Sequence, residues 1–542
     1  MLTVNNLTIE FHDEEVPFKA VNRVSFTMKQ GEILGLVGES GSGKSQTALA
    51  IAGLIKRNYT KVTGEILFQG SDFVTQERKK LRLLQGNSVG MIFQDPLASL
   101  NPLRTIGWQV GEALRIHTTL SKEEIKERVL ETLQEVKLPE PERIYDSYPF
   151  ELSGGMRQRC LIAAAIITRP KLLIADEPTT ALDVTIQEEI ISLLKELHKK
   201  YGCSILFISH DLSLVKAICT NVCVMKDGEI VERGSVKEIF CSPQNAYTQK
   251  LVDAIPAKLS KDDYNQNAIE NKKTADTLLA IEHYSFYYDN HKLTKLSDMG
   301  SFFCKKESTT GTKKPERTER WGIRDISLTL HKGDICALVG ESGSGKSTLA
   351  KCIAGLLGDQ KNREGFPKCA MVFQDSFSSL NPSKKVGWIL REALVLQGIR
   401  NKEEIRKRIE EILLEVELPF ELLNRYPLEL SGGQRQRVGI GAALLSSPEL
   451  LIADEPVSAL DVTIQRQIVE LFMKLREKRG ITILFISHDL RTVFRLCDEV
   501  YVMKNGKILE SGDRYEIYFN PKNEYTRQLI RAAMIETEDL DV

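Results

Sequence analysis

Apolar positions along the chain fall into two kinds of run. Short, nearly unbroken stretches such as Ile33-Leu34-Gly35-Leu36-Val37, Leu172-Leu173-Ile174-Ala175 and Ile205-Leu206-Phe207-Ile208 read as strands buried on both faces. Longer stretches place apolar residues at helical spacing: 46–55 directly behind the first strand, and 121–136, which is rich in Glu and Lys. Strands alternating with helices predict a largely parallel sheet covered on both faces, with 121–136 an inserted helical part. Gly64-Glu65-Ile66-Leu67-Phe68-Gln69-Gly70 reads as one further strand.

The pattern is written twice. Val37-Gly38-Glu39-Ser40-Gly41-Ser42-Gly43-Lys44-Ser45 recurs as Val339-Gly340-Glu341-Ser342-Gly343-Ser344-Gly345-Lys346-Ser347, and Phe93-Gln94-Asp95 as Phe373-Gln374-Asp375. Leu152-Ser153-Gly154-Gly155, Ile174-Ala175-Asp176-Glu177-Pro178 and Ile208-Ser209-His210-Asp211 also return in the same order. Two copies of one domain follow, each long enough for its own core. The reading is a first domain at 1–256, a linker at 257–277 and a second domain at 278–542. The second copy is shorter between Lys346 and Gln374 than the first between Lys44 and Gln94; the missing piece corresponds to the 64–70 strand and the charged stretch after it. The second copy also gains a polar Lys/Ser/Thr/Gly-rich segment at 289–320, which reads as a loop.

Composition narrows the class. With 73 Lys plus Arg against 74 Asp plus Glu, the chain has none of the excess charge of a basic nucleic-acid binder, so no nucleic-acid partner is expected. No apolar run approaches the ~18–20 residues that span a bilayer, and the acidic, alternating N-terminus is unlike a signal peptide. The 10 cysteines form no Cys-x-x-Cys pair and read as buried free thiols of a cytosolic protein.

The repeated motifs carry chemistry. Gly38-x-x-x-x-Gly43-Lys44-Ser45 and Gly340-x-x-x-x-Gly345-Lys346-Ser347, each between a strand and a helix, are phosphate loops: glycines let backbone N–H groups converge on an anion at a helix N-terminus. Lys44 and Lys346 would reach the terminal phosphates, and Ser45 and Ser347 can place hydroxyls on Mg²⁺. Gln46 and Thr348, next in sequence, are read as part of the same phosphate-binding stretches. Asp176-Glu177 and Asp454-Glu455 close hydrophobic strands at a carboxyl edge, where ligands sit in open α/β sheets. There the aspartate can hold Mg²⁺ through water and the glutamate can orient the attacking water; an Asp-Glu pair could also merely cap a helix. Ser153-Gly154-Gly155 and Ser431-Gly432-Gly433 read as helix N-caps, yet paired glycines stabilise a helix poorly and suit a backbone that must approach a second phosphate.

Phosphate loop, Gln94, Leu-Ser-Gly-Gly, Asp176-Glu177, Ala181-Leu182-Asp183 and His210, in that order, resemble the nucleotide-binding domain of ATP-binding cassette (ABC) proteins. The set Lys346, Gln374, Ser431, Asp454, Glu455, Asp461 and His488 is equally complete. The segments after the glutamines, Asp95-Pro96-Leu97-Ala98-Ser99-Leu100-Asn101-Pro102 and Asp375-Ser376-Phe377-Ser378-Ser379-Leu380-Asn381-Pro382, resemble ATPases of oligopeptide, dipeptide and nickel importers. So do the tails Pro243-x-Asn245-x-Tyr247-Thr248 and Pro521-x-Asn523-x-Tyr525-Thr526.

The resemblance implies an α/β fold with two such domains, each a mostly parallel sheet with an inserted helical subdomain and a small antiparallel part, shortened in the second half. It implies ATP and Mg²⁺ as ligands, with Ser45, Gln94, Asp176, Ser347, Gln374 and Asp454 around the metal. Glu177, Glu455, His210, His488, Gln94 and Gln374 would be the catalytic side chains. Each Ser-Gly-Gly signature is expected to complete the ATP site of the other half. An aromatic upstream of each phosphate loop should stack on adenine; Phe11 and Tyr287 are the candidates, with Phe18 and Trp321 as alternates. The expected function is to power an importer of peptides or nickel chelates from the cytoplasmic face of the membrane. Two transmembrane permease subunits and an extracellular substrate-binding protein would be its partners, the permeases seated near 98–108 and 378–388. The alternative is a soluble tandem ABC ATPase acting on ribosomes or nucleic acid. The transported substrate is not written in the sequence.

Overall fold

The computed structural model describes residues 1–12, 17–55, 59–76, 78–180, 182–255, 276–288, 322–358, 365–374, 379–458 and 460–533. Most of the expected linker, the 289–320 loop, Trp321, Ala181 and 375–378 lie outside them. The chain forms two compact units, one built on Met1–Ala257 and the other on Lys258–Ser458 with Gln467–Ala533; the short stretch Ala459–Arg466 belongs to the first.

In the first unit, β1 (Leu2–Phe11), β2 (Phe18–Met28), β4 (Thr60–Phe68) and β5 (Ser71–Asp72) make an antiparallel sheet in the order β2-β1-β4-β5. A six-stranded sheet holds β3 (Ile33–Val37), β6 (Val89–Ile92), β7 (Leu172–Asp176), β8 (Ser204–Ser209), β9 (Asn221–Lys226) and β10 (Glu229–Ser235) in the order β10-β9-β3-β8-β7-β6. Its five inner pairings are parallel except β10 on β9. The three apolar runs are β3, β7 and β8, every residue of which is buried, as unbroken hydrophobicity requires of a sheet packed on both faces.

The second unit repeats the core. Strands β11 (Thr277–Tyr287) and β12 (Gly322–His331) pair antiparallel; β13 (Ile335–Val339), β14 (Cys369–Val372), β15 (Leu450–Asp454), β16 (Thr482–Ser487), β17 (Glu499–Lys504) and β18 (Lys507–Asp513) follow the order β14-β15-β16-β13-β17-β18. Among the described residues nothing replaces β4 and β5, so the shortening reduces the antiparallel part from four strands to two.

The inserted helices match the 3.6-residue pattern. Helix Lys122–Glu135 buries Ile125, Val129, Thr132 and Leu133, and starts where Ser121 and Glu124 form a capping box. Helix Lys402–Glu415 buries Ile405, Ile409, Ile412 and Leu413, capped by Asn401. The helix expected at 46–55 instead spans Lys44–Ile51. Left-handed Gly43, at φ 97°, turns directly into it, and left-handed Gly53, at φ 69°, follows its end. The described cysteines are free, and burial pushes the thiols of Cys160 and Cys223 up to about 12, which makes these buried ones inert.

Candidate functional site

Because β3, β8 and β7 are neighbours, the loop after β3, Asp176-Glu177 after β7 and His210 after β8 meet at one carboxyl edge. β13, β16 and β15 do the same for the second set. Two glycines make the phosphate loop possible. Gly38 sits at φ 154°, where a Cβ would lie 2.1 Å from the Met225 carbonyl oxygen, and a Cβ on Gly43 would lie 2.4 Å from the Ala20 oxygen. Gly340 repeats the first constraint against Met503.

Lys44 is buried and donates from Nζ to the Gly38 and Glu39 oxygens at 2.8 Å each. Lys346 makes the same pair of bonds to Gly340 and Glu341. Burial lowers the Lys44 pKa, its carboxylate neighbours opposing the shift. The Ser45 hydroxyl donates to Asp176 Oδ1 at 3.1 Å, and Ser347 to Asp454 at the same distance. Burial raises Asp176 to about 6 and Asp454 in the same direction. A buried carboxylate beside a hydroxyl is a hard-oxygen donor set that suits a cation such as Mg²⁺, which takes one or two protein carboxylates plus phosphate oxygens.

Glu177 and Glu455 are left-handed non-glycine residues at φ 47° and 46°, a conformation that costs energy and persists where surroundings impose it. Each backbone N–H donates to the neighbouring strand, to the Ile208 and Ile486 oxygens respectively, at 2.9 Å. Each side chain is thereby held between a glutamine and a histidine. Gln94 Nε2 donates to Glu177 at 2.8 Å and Gln374 Nε2 to Glu455 at 2.7 Å. His210 Nδ1 lies 3.2 Å from Glu177, and His488 Nδ1 3.3 Å from Glu455. Burial alone would raise both glutamates; the histidine contacts outweigh it and hold the carboxyls low. For His210, burial pushes the pKa down, and the hydrogen bond with Glu177 overcomes it to give a net rise. Thr180 also donates to Glu177, at 2.9 Å, a contact that no sequence motif marks.

The signature serines are helix N-caps. Ser153 and Ser431 each accept the N–H three residues on, from Met156 and Gln434, at 3.3 Å. Gln434 returns a bond to the Ser431 N–H at 3.0 Å, closing a capping box that Met156 cannot make. Gly155 has a packing reason of its own: a Cβ there would lie 3.0 Å from Ile186 Cγ2. Among the described residues no hydrogen bond ties Ser153–Gly155 or Ser431–Gly433 into the cluster of their own half.

The aromatic candidates separate. Phe11 ends β1, half-buried against the core and paired with exposed Phe18. Tyr287 is exposed, with the Arg324 guanidinium 5.9 Å from its ring centre. The left-handed residues Asn6 and His283 mark equivalent irregularities in β1 and β11, after which Phe11 is matched by Tyr288. The Tyr288 hydroxyl lies 3.1 Å from Thr348 Oγ1, beside the phosphate loop.

The profile of the ABC transporter family matches residues 21–180 and 323–458. That of the oligopeptide/dipeptide transporter C-terminal region matches 231–279. The chain is 40% identical to the peptidoglycan transport ATP-binding protein YejF of Agrobacterium fabrum, over 98% of this chain and 96% of that one. It is 38% identical to the glutathione import ATP-binding protein GsiA of Salmonella choleraesuis, over 99% and 90%. Among solved structures, archaeal ribosome recycling factor aABCE1, in complex with ribosomal stalk protein aP1, covers 93% of the chain at 20% identity with a TM-score of 0.59, and 90% of that chain is covered; at that identity the likeness is one of fold. With both nucleotide sites built from the same motifs, the chain belongs to the ABC transporter ATP-binding proteins: it is an ATPase with two ABC domains in one polypeptide.

Proposed function

We propose that this chain is the motor of an importer for short peptides, working at the cytoplasmic face of the membrane through two permease subunits and an extracellular substrate-binding protein. The observation that carries the reading is the oligopeptide/dipeptide transporter C-terminal region at 231–279. The relatives named for peptidoglycan and glutathione transport support it, since both cargoes contain peptides. Among the described residues no helix is long and apolar enough to cross a membrane, so a translocation path would come from other chains. Trp108 and Trp388, each about 40% exposed with cations over their rings, lie in the segments proposed to meet the permeases.

In this reading Lys44 and Lys346 leave the loop carbonyls to neutralise the terminal phosphates of ATP. Ser45 with Asp176, and Ser347 with Asp454, would hold Mg²⁺ together with the Gln94 and Gln374 side-chain oxygens. The metal supplies charge neutralisation on the phosphates. Glu177 and Glu455, fixed in place by backbone and histidine, orient the attacking water. The first N–H groups of the helices after Ser153 and Ser431 are proposed as further phosphate donors.

The test is reconstitution of the chain in ATP-supplied vesicles with the permeases and binding protein that co-purify with it. Uptake of a labelled tripeptide or a peptidoglycan-derived peptide that requires ATP supports the reading. Uptake of a nickel chelate with no peptide uptake, or co-sedimentation with ribosomes in place of the permeases, defeats it.

A further inference from the structure

The tail motifs are not absorbed by ATP chemistry, yet in both units they reach the phosphate loop. Asn245 caps helix Ala246–Asp253 by accepting the Tyr247 N–H at 2.8 Å, and the Glu232 carboxylate accepts the N–H groups of Gln244 and Asn245 at 2.7 and 3.1 Å. The second unit repeats this. Asn523 accepts the Tyr525 N–H at 2.9 Å at the start of helix Glu524–Ala533, and Glu510 accepts the N–H groups of Lys522 and Asn523 at 2.6 and 3.1 Å. Each tail is thus pinned to the antiparallel edge strand, β10 or β18, that carries the glutamate.

What this presents is one tyrosine hydroxyl per unit. Tyr247 Oη accepts the Glu39 N–H, and Tyr525 Oη the Glu341 N–H, both at 3.1 Å. These N–H groups belong to the peptide units whose carbonyls, Gly38 O and Gly340 O, accept from Lys44 and Lys346 at 2.8 Å. One peptide plane is therefore held at both ends, at the glycine whose backbone already abuts a strand carbonyl. When the lysine turns toward phosphate, the carbonyl loses its partner and the tyrosine hydroxyl is left to fix the plane. Lys226 and Lys504 lie over the tyrosine rings at 5.1 and 4.0 Å, so removing the hydroxyl alone leaves ring packing in place.

We propose that Tyr247 and Tyr525 are positioning residues: the tail of each half orients its phosphate loop for ATP. The profile match at 231–279 names a region and assigns no role to this tyrosine.

The test uses the full chain with ATP and Mg²⁺, comparing Tyr247→Phe/Tyr525→Phe, Asn245→Ala/Asn523→Ala and the four substitutions combined. Steady-state hydrolysis gives KM and kcat, binding of a fluorescent ATP analogue gives affinity directly, and unfolding without nucleotide gives Tm. One net hydrogen bond per loop predicts a rise in KM and in the analogue's Kd of about 3–10-fold. That rise should exceed any fall in kcat, with nucleotide-free Tm near wild type. The asparagine variants should act in the same direction, and the combined chain should be little worse than the stronger pair, because both sets work through one hydroxyl. Unchanged KM and Kd overturn the proposal, whether or not Tm falls. So does full additivity, which would give the cap a separate path to the loop. A wild-type chain that bound no ATP would instead overturn the nucleotide-site reading itself.

Discussion

The two halves agree where ATP chemistry is expected and differ around it. Lysine-to-carbonyl distances are 2.8 Å in both, and serine-to-aspartate distances 3.1 Å in both. Glu177 and Glu455 share a left-handed φ within one degree. Outside that edge the second half has, among the described residues, no counterpart of β4 and β5, and its helical part packs differently. Tyr145 in the first half packs its ring against Gly107; the matching Leu423 is shorter and borders a cavity of about 750 Å³ with Gly387, Ile405, Ile409 and Phe420. The preserved contacts use backbone carbonyls, N–H groups and strand ends, all fixed by sheet order. The divergent ones use side chains on helices and edge strands, where a shape change stays local.

The largest expected effect would break the equivalence of the two sites. Glu177→Gln and Glu455→Gln should each retain ATP binding, and together should lower phosphate release by ~100-fold or more. If the halves are equally competent, the single variants should lose activity to the same degree. A single variant with wild-type turnover would show its half to be silent.

A smaller effect sharpens the packing contrast. A Cβ at Gly107 would lie 2.4 Å from the Tyr145 ring, while one at Gly387 meets the Leu423 carbonyl oxygen at 3.1 Å. Gly107→Ala should therefore cost about 1–3 kcal/mol through overpacking. Gly387→Ala should fall within ~1 kcal/mol of wild type, since gained helix propensity offsets a mild contact. Denaturant unfolding of the two variants decides this, and equal losses would mean that Tyr145 yields as easily as the space around Leu423.

These contrasts also mark what the sequence could tell. Apolar runs located β3, β7 and β8, because a doubly covered strand has to be continuous. The loop, Asp-Glu, Gln and His motifs were legible because they recur in one order in both halves, and sheet order brings each set to one edge. The shortened antiparallel part followed from one change in spacing between Lys346 and Gln374. Contacts made across the fold were not legible. Tyr288 comes level with Phe11 only when the matching irregularities at Asn6 and His283 are aligned, and Tyr247 meets Glu39 with the start of its helix tied to Glu232 of β10. Leu423 reveals a cavity only once Gly387 is beside it. Sequence spacing is silent on such pairs, since sheet order sets them.

The smallest expected effect lies inside the otherwise matched sites. Thr180 donates its hydroxyl to the Glu177 carboxylate at 2.9 Å, whereas the corresponding Ser458 donates to the backbone oxygen of Glu455, also at 2.9 Å. Glu177 thus has a support on its carboxylate that Ser458 does not give to Glu455. Thr180→Val keeps the shape of the side chain and removes that bond. Gln94 and His210 still hold the carboxylate, so the loss should be about 1 kcal/mol, below the usual range for a bond to a charged group, and roughly a fivefold slowing of the affected site. Ser458→Ala removes only a turn contact, and turnover should stay within about twofold of wild type. Phosphate-release rates at saturating ATP compare the two. If Ser458→Ala proves as costly as Thr180→Val, the glutamates depend on the turn that follows them, and the hydroxyl on the carboxylate has no role of its own.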